Sequence, residues 1–158
     1  MTPAPLSRSV VRLERTIPAP PPLVYRAWLD PDPVARWMAP GSYEVTGVEI
    51  DERVGGRYRI RQANEGVDVG GFDCQILELV ADRRIVWHWG FAGPGGPVYD
   101  SLMTVTLRAV TGGATALTLL HERLDELAAA LPEVADKVAA GWENVLSKLA
   151  GTPLAVGG

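Results

Sequence analysis

Six consecutive segments between residues 43 and 122 alternate apolar and polar side chains with a period of two, after which the spacing changes to three and four. In the second pattern Leu131, Val134, Val138, Trp142, Val145, Leu146 and Leu149 make the apolar stripe of one long amphipathic helix. A run of hairpin-linked strands followed by one such helix predicts a long curved sheet that closes over that helix. Gly141 stands beside Trp142, so the helix can approach the sheet closely at one point and be held away at another. Such a contrast of side-chain size can leave a cavity between the two layers.

Ahead of these strands, Ser9 to Ile17 alternates well enough for a first strand, with Val11, Leu13 and Ile17 on one face and Arg15 out of pattern. Met1 to Arg8 reads as a loose arm. The prolines of Pro18 to Pro22 resemble a polyproline ligand, but they lead directly into Leu23 to Leu29, and proline suits the first turn of a helix. Asp30-Pro31-Asp32-Pro33 resets the chain, Val34 to Met38 makes a second short helix, and Pro40-Gly41 stops it.

The six later strands are predicted over Tyr43 to Asp51, Gly56 to Gln62, Gly71 to Leu79, Arg84 to Phe91, Tyr99 to Val110 and Ala114 to Glu122. Gly55-Gly56, Ala81-Asp82 and Gly112-Gly113 fall where tight turns are needed. Arg57, Arg59 and Arg61 alternate with Tyr58 and Ile60, which sends the arginines to solvent and the apolar pair inward. By the same alternation Ile85, Trp87 and Trp89, then Met103, Val105 and Leu107, then Leu117, Leu119 and His121, form inner faces that converge on the last helix. The fold class is α+β, a seven-stranded antiparallel curved sheet around a long C-terminal helix, with two short helices after the first strand.

A length of 158 residues fits one domain, placed at residues 9–150 with flexible tails at 1–8 and 152–158. A net charge of −4 and the absence of Lys/Arg blocks exclude the electrostatic footprint of a nucleic-acid binder. Cys74 is the single cysteine, so no intramolecular disulfide can form, and the N-terminus lacks the layout of a signal peptide. Its longest apolar runs are strand-length, short of the roughly 20 residues a membrane span needs. A soluble, cytoplasmic protein without membrane insertion is expected.

The chemistry is sparse. Two histidines and one cysteine, with no acidic pair beside a histidine on a helix, do not make a zinc site, and no metal or cofactor is expected. No Gly-x-Ser-x-Gly elbow occurs, and Cys74 has no basic partner legible in the sequence. The loop Gly90 to Pro97 is rich in glycine but matches neither the dinucleotide fingerprint nor a phosphate loop; it reads as a flexible hairpin able to act as a lid. Two residues could carry protons. His121 shares its predicted face with Leu117 and Leu119 and so points inward, where it is either a proton carrier or a hydrogen-bonded core histidine. Asp73 shares a face with Gln75, opposite Phe72, Cys74 and Ile76, and either face could be the inner one. The expected ligand wall comprises Trp37, Tyr58, Ile60, Gln62, Trp87 and Trp89 from the first half of the chain, and Met103, Val105, Leu119, His121, Trp142, Val145 and Leu146 from the second. Pocket lining and plain core compete as readings of the tryptophans.

The chain resembles the START-like, birch-pollen-allergen-like superfamily (SRPBCC) with its helix-grip fold, and within it the branch named for the activator of heat-shock-protein-90 ATPase. The resemblance is carried by Arg15-Thr16-Ile17-Pro18-Ala19-Pro20 leading to Val24-Tyr25-Arg26-Ala27-Trp28, by Asp30-Pro31 before Trp37, and by Val54-Gly55-Gly56-Arg57-Tyr58-Arg59. It continues through Arg83-Arg84-Ile85-Val86-Trp87 with Trp89, Met103 to Leu107, Thr115 to Leu119 with His121, and Gly141-Trp142, covering about residues 9 to 150. What it implies is a deep pocket between sheet and helix for a hydrophobic molecule, and in some members cyclase or hydrolase activity. Chaperone activation in the eukaryotic protein depends heavily on a further N-terminal domain that this short chain is expected to lack, so chaperone interaction is not expected; Trp87-His88-Trp89 echoes a motif of that domain by coincidence.

Three functions follow as expectations. The first is binding of a small hydrophobic molecule, aromatic or lipid-like, in the cavity without catalysis. The second is a cyclase, dehydratase or hydrolase using His121, with Asp73, as proton carrier. The third is a chaperone-associated binding module, which would need a long exposed apolar patch. A homodimer is left open.

Overall fold

Strands β2 (Glu44–Ile50), β3 (Arg57–Asn64), β4 (Val67–Val80), β5 (Arg84–Ala92), β6 (Val98–Val110) and β7 (Ala114–Glu122) follow one another as an antiparallel meander. Strand β1 (Val11–Ile17) pairs with β7, giving the order β1-β7-β6-β5-β4-β3-β2. This computed structural model describes residues 10–93 and 98–154. The expected arm at 1–8, the strand start at Ser9, the end of the glycine-rich loop at 94–97 and the tail at 155–158 lie outside the described residues.

The alternation places faces as expected. Tyr58 and Ile60 are buried, whereas Arg57 and Arg61 are exposed and pair with Asp73 and Asp68 on the neighbouring strand. Trp87 and Trp89 are fully buried, with His88 exposed between them. Turns form at Asp82 and at Gly112-Gly113, all with positive φ. One hairpin runs longer than the apolar alternation predicts: β3 continues to Asn64, β4 starts at Val67, and Glu65 and Gly66 close it with φ of 52° and 80°. Two successive positive φ values match the twist of a two-residue hairpin, and Glu is a weak sequence signal for the first of them. Nearby, Gly70 has φ 89°, a Cβ on it would collide with the Ala92 carbonyl oxygen, and the β3–β4 register shifts between Gln62 and Ala63. That irregularity bends the sheet at one end.

Helix α1 (Pro21–Leu29) starts on proline and buries Val24, Tyr25, Ala27, Trp28 and Leu29. Helix α2 (Pro31–Trp37) follows at once, its first turn capped by Asp30, whose carboxylate accepts from the Asp32 N–H at 3.0 Å. Both are tied to the sheet. The Tyr58 hydroxyl donates to the Trp28 carbonyl at 2.6 Å, and the Thr115 hydroxyl donates to the Ala19 carbonyl at 2.7 Å.

The C-terminal part departs from the expectation of one uninterrupted helix. It is α3 (Asp125–Ala130), α4 (Pro132–Asp136) and α5 (Val138–Gly151). Pro132 has no N–H with which to continue α3, and it forces Leu131 out of helical geometry, to φ −136° and ψ 70°. A second break falls at Lys137, whose N–H bonds to the carbonyl of Val134 at 3.0 Å. Leu131 and Val134, expected on the buried stripe, are therefore each 42% exposed. The rest of the stripe, Val138, Trp142, Val145, Leu146 and Leu149, is buried on α5 as expected. Among the described residues no helix is long and apolar enough to cross a membrane.

Candidate functional site

The groove between sheet and α5 is divided into a filled part and an open part. Rings fill the inner part. Trp28, Trp37, Trp87, Trp89 and Tyr58 are completely buried, and their contacts run from Trp28–Trp37 at 4.6 Å between centroids, through Trp28–Trp87 and Tyr58–Trp87 at 5.5 and 5.4 Å, to Trp89–Trp142 at 5.3 Å. Tilted and edge-on geometries dominate, as ring quadrupoles favour. The Trp37 indole donates to the Ala27 carbonyl at 3.1 Å, whereas the buried indole N–H groups of Trp28, Trp87 and Trp89 have no hydrogen-bond acceptor among the described residues. An unpaired buried donor costs about 1–3 kcal/mol, so this cluster is held by packing against that cost.

His121 sits at the border. It is fully buried, stacked on Phe91 at 5.6 Å, and lies opposite Met103 on β6 and Val11 on β1. The Trp142 indole donates to its Nδ1 at 3.0 Å, and its Nε2 lies 2.7 Å from the Ser101 hydroxyl. An indole N–H only donates, so Nδ1 accepts, and the neutral ring carries its proton on Nε2. Ser101 then receives that proton and donates its own to the Trp89 carbonyl at 2.7 Å. Each donor of the relay, the Trp142 indole, the His121 Nε2–H and the Ser101 hydroxyl, has one acceptor, and the relay ends on the Trp89 carbonyl. Burial lowers the imidazole pKa from 6.5 to about 3, so the ring is neutral at physiological pH with both nitrogens engaged. The hydrogen-bonded core reading of His121 describes this geometry; a proton carrier would need a nitrogen open to a ligand.

Asp73 lies on the outer face of β4. Its carboxylate takes two hydrogen bonds from the Arg57 guanidinium, at 3.2 and 3.0 Å, which hold its pKa below the usual carboxylate value. Cys74 and Ile76 face inward instead. The sheet separates Asp73 from the groove, which corrects its candidacy as a proton carrier beside His121. The Cys74 thiol is buried and pushed well up by desolvation, an unreactive state.

The open part is a cavity of about 940 Å³ at the bent end of the sheet. Its floor is Phe72, Phe91 and Tyr99 from β4, β5 and β6, with Gln62 and Val69; one wall is Val138, Gly141, Trp142 and Val145 of α5; its roof is Leu127, Leu131 and Val134 of α3 and α4 and the turn between them. The segment from Met38 to Tyr43 closes the remaining side. Three side chains fasten that segment: Gln62 Nε2 donates to the Met38 carbonyl at 2.8 Å, Asn144 Oδ1 accepts from the Gly41 N–H at 2.8 Å, and Lys148 Nζ donates to the carbonyls of Ala39 and Gly41 at 2.5 and 2.8 Å. A cavity of this size, largely apolar with a few polar groups, has the character of a small-molecule site.

Of the expected ligand wall, Gln62, Trp142 and Val145 line this cavity. Trp37, Tyr58, Ile60, Trp87, Trp89, Met103, Val105, Leu119 and His121 are buried in the filled part and do not. Leu146 borders a separate shallow cleft of about 390 Å³ between α5 and β1, together with Leu13, Glu14 and Arg15. That cleft explains Arg15: it lies on the inner face of an edge strand where the helix leaves room for a charge. Phe72, Phe91 and Tyr99 are cavity residues that the sequence did not single out, since their alternation marks an inner face but not a cavity, and Lys137 carries no sequence signal at all. Among the described residues no group of three or more His, Cys, Asp or Glu gathers as a metal site.

A family model described as Activator of Hsp90 ATPase homolog 1-like protein matches residues 18–152. Protein CV1439 from Chromobacterium violaceum is 34% identical, with a TM-score of 0.77 over 90% of this chain and 95% of its own. CalU16 from Micromonospora echinospora is 27% identical, with a TM-score of 0.61 over 90% of this chain and 74% of its own. Protein Ms6760 from Mycobacterium smegmatis shares the fold, at 19% identity and a TM-score of 0.75 over 92% of this chain and 91% of its own. No curated protein matches.

Proposed function

The chain belongs to the Activator of Hsp90 ATPase homolog 1-like family, and on that premise we propose that it binds a small apolar molecule in the cavity between the bent end of the sheet and the first half of α5. The observation that carries this reading is the 940 Å³ cavity itself, whose floor and wall are Phe72, Phe91, Trp142 and Val145. Burying apolar ligand surface there is worth roughly 25 cal/mol per Å². Leu131, Val134 and Tyr43 support it further: they are among the large apolar side chains that remain exposed, and all three line this cavity. An apolar rim is expected of a site that admits an apolar guest.

Binding without chemistry fits the site better than catalysis by His121, because both imidazole nitrogens are already engaged and the ring does not line the cavity. A docking face for a chaperone would need a contiguous apolar patch on an outer surface; Tyr43, Leu131 and Val134 gather at the cavity instead.

The test is titration with the neutral fluorescent probe 1-anilinonaphthalene, read by its emission and by quenching of Trp142. Saturable binding is expected in the wild type. Gly141 lines the cavity, and a Cβ placed on it meets nothing within 4 Å, so Gly141→Phe should fill the space and abolish binding while the protein stays folded. Equal binding by both proteins would put the probe elsewhere and refute the reading.

A further inference from the structure

The wall of the cavity is electrostatically one-sided. The chain has 19 acidic residues and a net charge of −4, yet among the described residues no Asp or Glu lines the cavity, and the one charged residue that does is Lys137. The neighbouring acids Glu133 and Asp136 lie on α4 but do not line it. Lys137 is exposed, and its ammonium makes no ion pair or hydrogen bond among the described residues. It stands where α4 ends and α5 begins. The first turn of the 14-residue α5 has no side-chain cap and no acidic residue, and Val138, Ala140 and Gly141 from that turn also line the cavity. The positive end of a helix dipole therefore adds to the lysine at the same corner. Across the cavity from this corner the lining is the apolar floor of Phe72 and Phe91.

We infer that the ligand is an apolar monoanion, a ring system or hydrocarbon bearing one oxyanion group such as a carboxylate or sulfonate, whose charge is met by Lys137 while its body lies on Phe72, Phe91 and Trp142. The inference rests on the cavity being a binding site and adds the sign and place of the ligand's charge. A cation would face the lysine with no acid to offset the repulsion. A neutral molecule would gain nothing from the ammonium, which water already solvates. An oxyanion gains a charge-assisted hydrogen bond at the mouth, where it need not be fully desolvated.

The experiment compares two probes that differ by a single group, 1-anilinonaphthalene and 8-anilinonaphthalene-1-sulfonate, on the intact protein and on Lys137→Met and Lys137→Arg. Lys137 holds no other element in place, so both variants should fold. In the wild type the sulfonate is expected to bind about tenfold more tightly than the neutral probe at low salt, with the margin shrinking as salt is raised. Lys137→Met should remove the sulfonate's margin over the neutral probe; Lys137→Arg should keep it. If the neutral probe binds in the cavity but the sulfonate gains nothing from Lys137, the charge assignment is wrong and the cavity reading stands. If neither probe binds in a manner that Gly141→Phe blocks, both fall.

Discussion

Trp142 on α5 and His121 on β7 are joined by an indole-to-imidazole hydrogen bond of 3.0 Å, and this one contact fixes the tautomer of the histidine and the height of the helix above the sheet. The helix cannot tilt there without stranding a buried nitrogen. It is also the boundary between the ring-filled part of the groove and the open cavity.

Two identical substitutions should therefore differ in cost. Trp87→Phe removes an indole N–H that has no acceptor among the described residues, whereas Trp142→Phe removes a paired one and leaves His121 Nδ1 buried and unsatisfied. Both lose ring area. Urea unfolding should show Trp142→Phe to be the more destabilising by about 1–3 kcal/mol.

The pH dependence follows from burial of His121. Its folded pKa is about 3, against 6.5 when exposed. Between those values the unfolded chain holds the extra proton and the folded chain does not, so stability is full above about pH 6.5 and falls as pH drops toward 3. The slope is at most about 1.4 kcal/mol per pH unit from this group. Asp73 acts lower: its pKa is held below 3.8 by Arg57, so the stability it contributes is present above that value and lost only as pH falls beneath it. Thermal melts between about pH 6 and 5 thus isolate the histidine, and His121→Gln should flatten the curve there.

Gly141 offers the opposite sign. It lies in the interior of α5 with open space where a side chain would go. Gly141→Ala should stabilise the protein by about 0.5–1 kcal/mol through the helix backbone, measurable as a rise in Tm, with ligand affinity reduced far less than by Gly141→Phe.

The segment from Met38 to Tyr43 should loosen on its own when one of its two α5 clamps, Asn144 or Lys148, is cut. Asn144→Ala leaves the Gly41 N–H without its acceptor. Hydrogen exchange at Gly41 should accelerate while the amides of β5 and β6 stay protected, and global stability should fall by only about 0.5–1.5 kcal/mol.

Most of the fold was legible because it rests on local periodicities. Period two set the faces of Tyr58, Trp87, Met103 and His121, and each of those side chains points inward. The β3–β4 hairpin was harder, since Glu65 is not a residue that announces a positive φ. The expected single helix failed at Pro132 and Lys137, where a local breaker outweighed the continuing apolar spacing of Leu131 and Val134. Phe72, Phe91 and Tyr99 carry the same alternation as their neighbours, so nothing local distinguished a cavity floor from a packed core.

The sequence by itself determined which residues turn inward, the number and order of the strands, and the presence of an apolar helix over them, because side-chain direction along a strand or helix is fixed by backbone geometry within a few residues. Only the tertiary structure decided that tryptophans fill one half of the groove and leave the other half open, that Asp73 faces Arg57 on the outside, and that Lys137 lines the cavity. Those outcomes depend on sheet curvature and on distances between side chains remote along the chain, which no local period encodes.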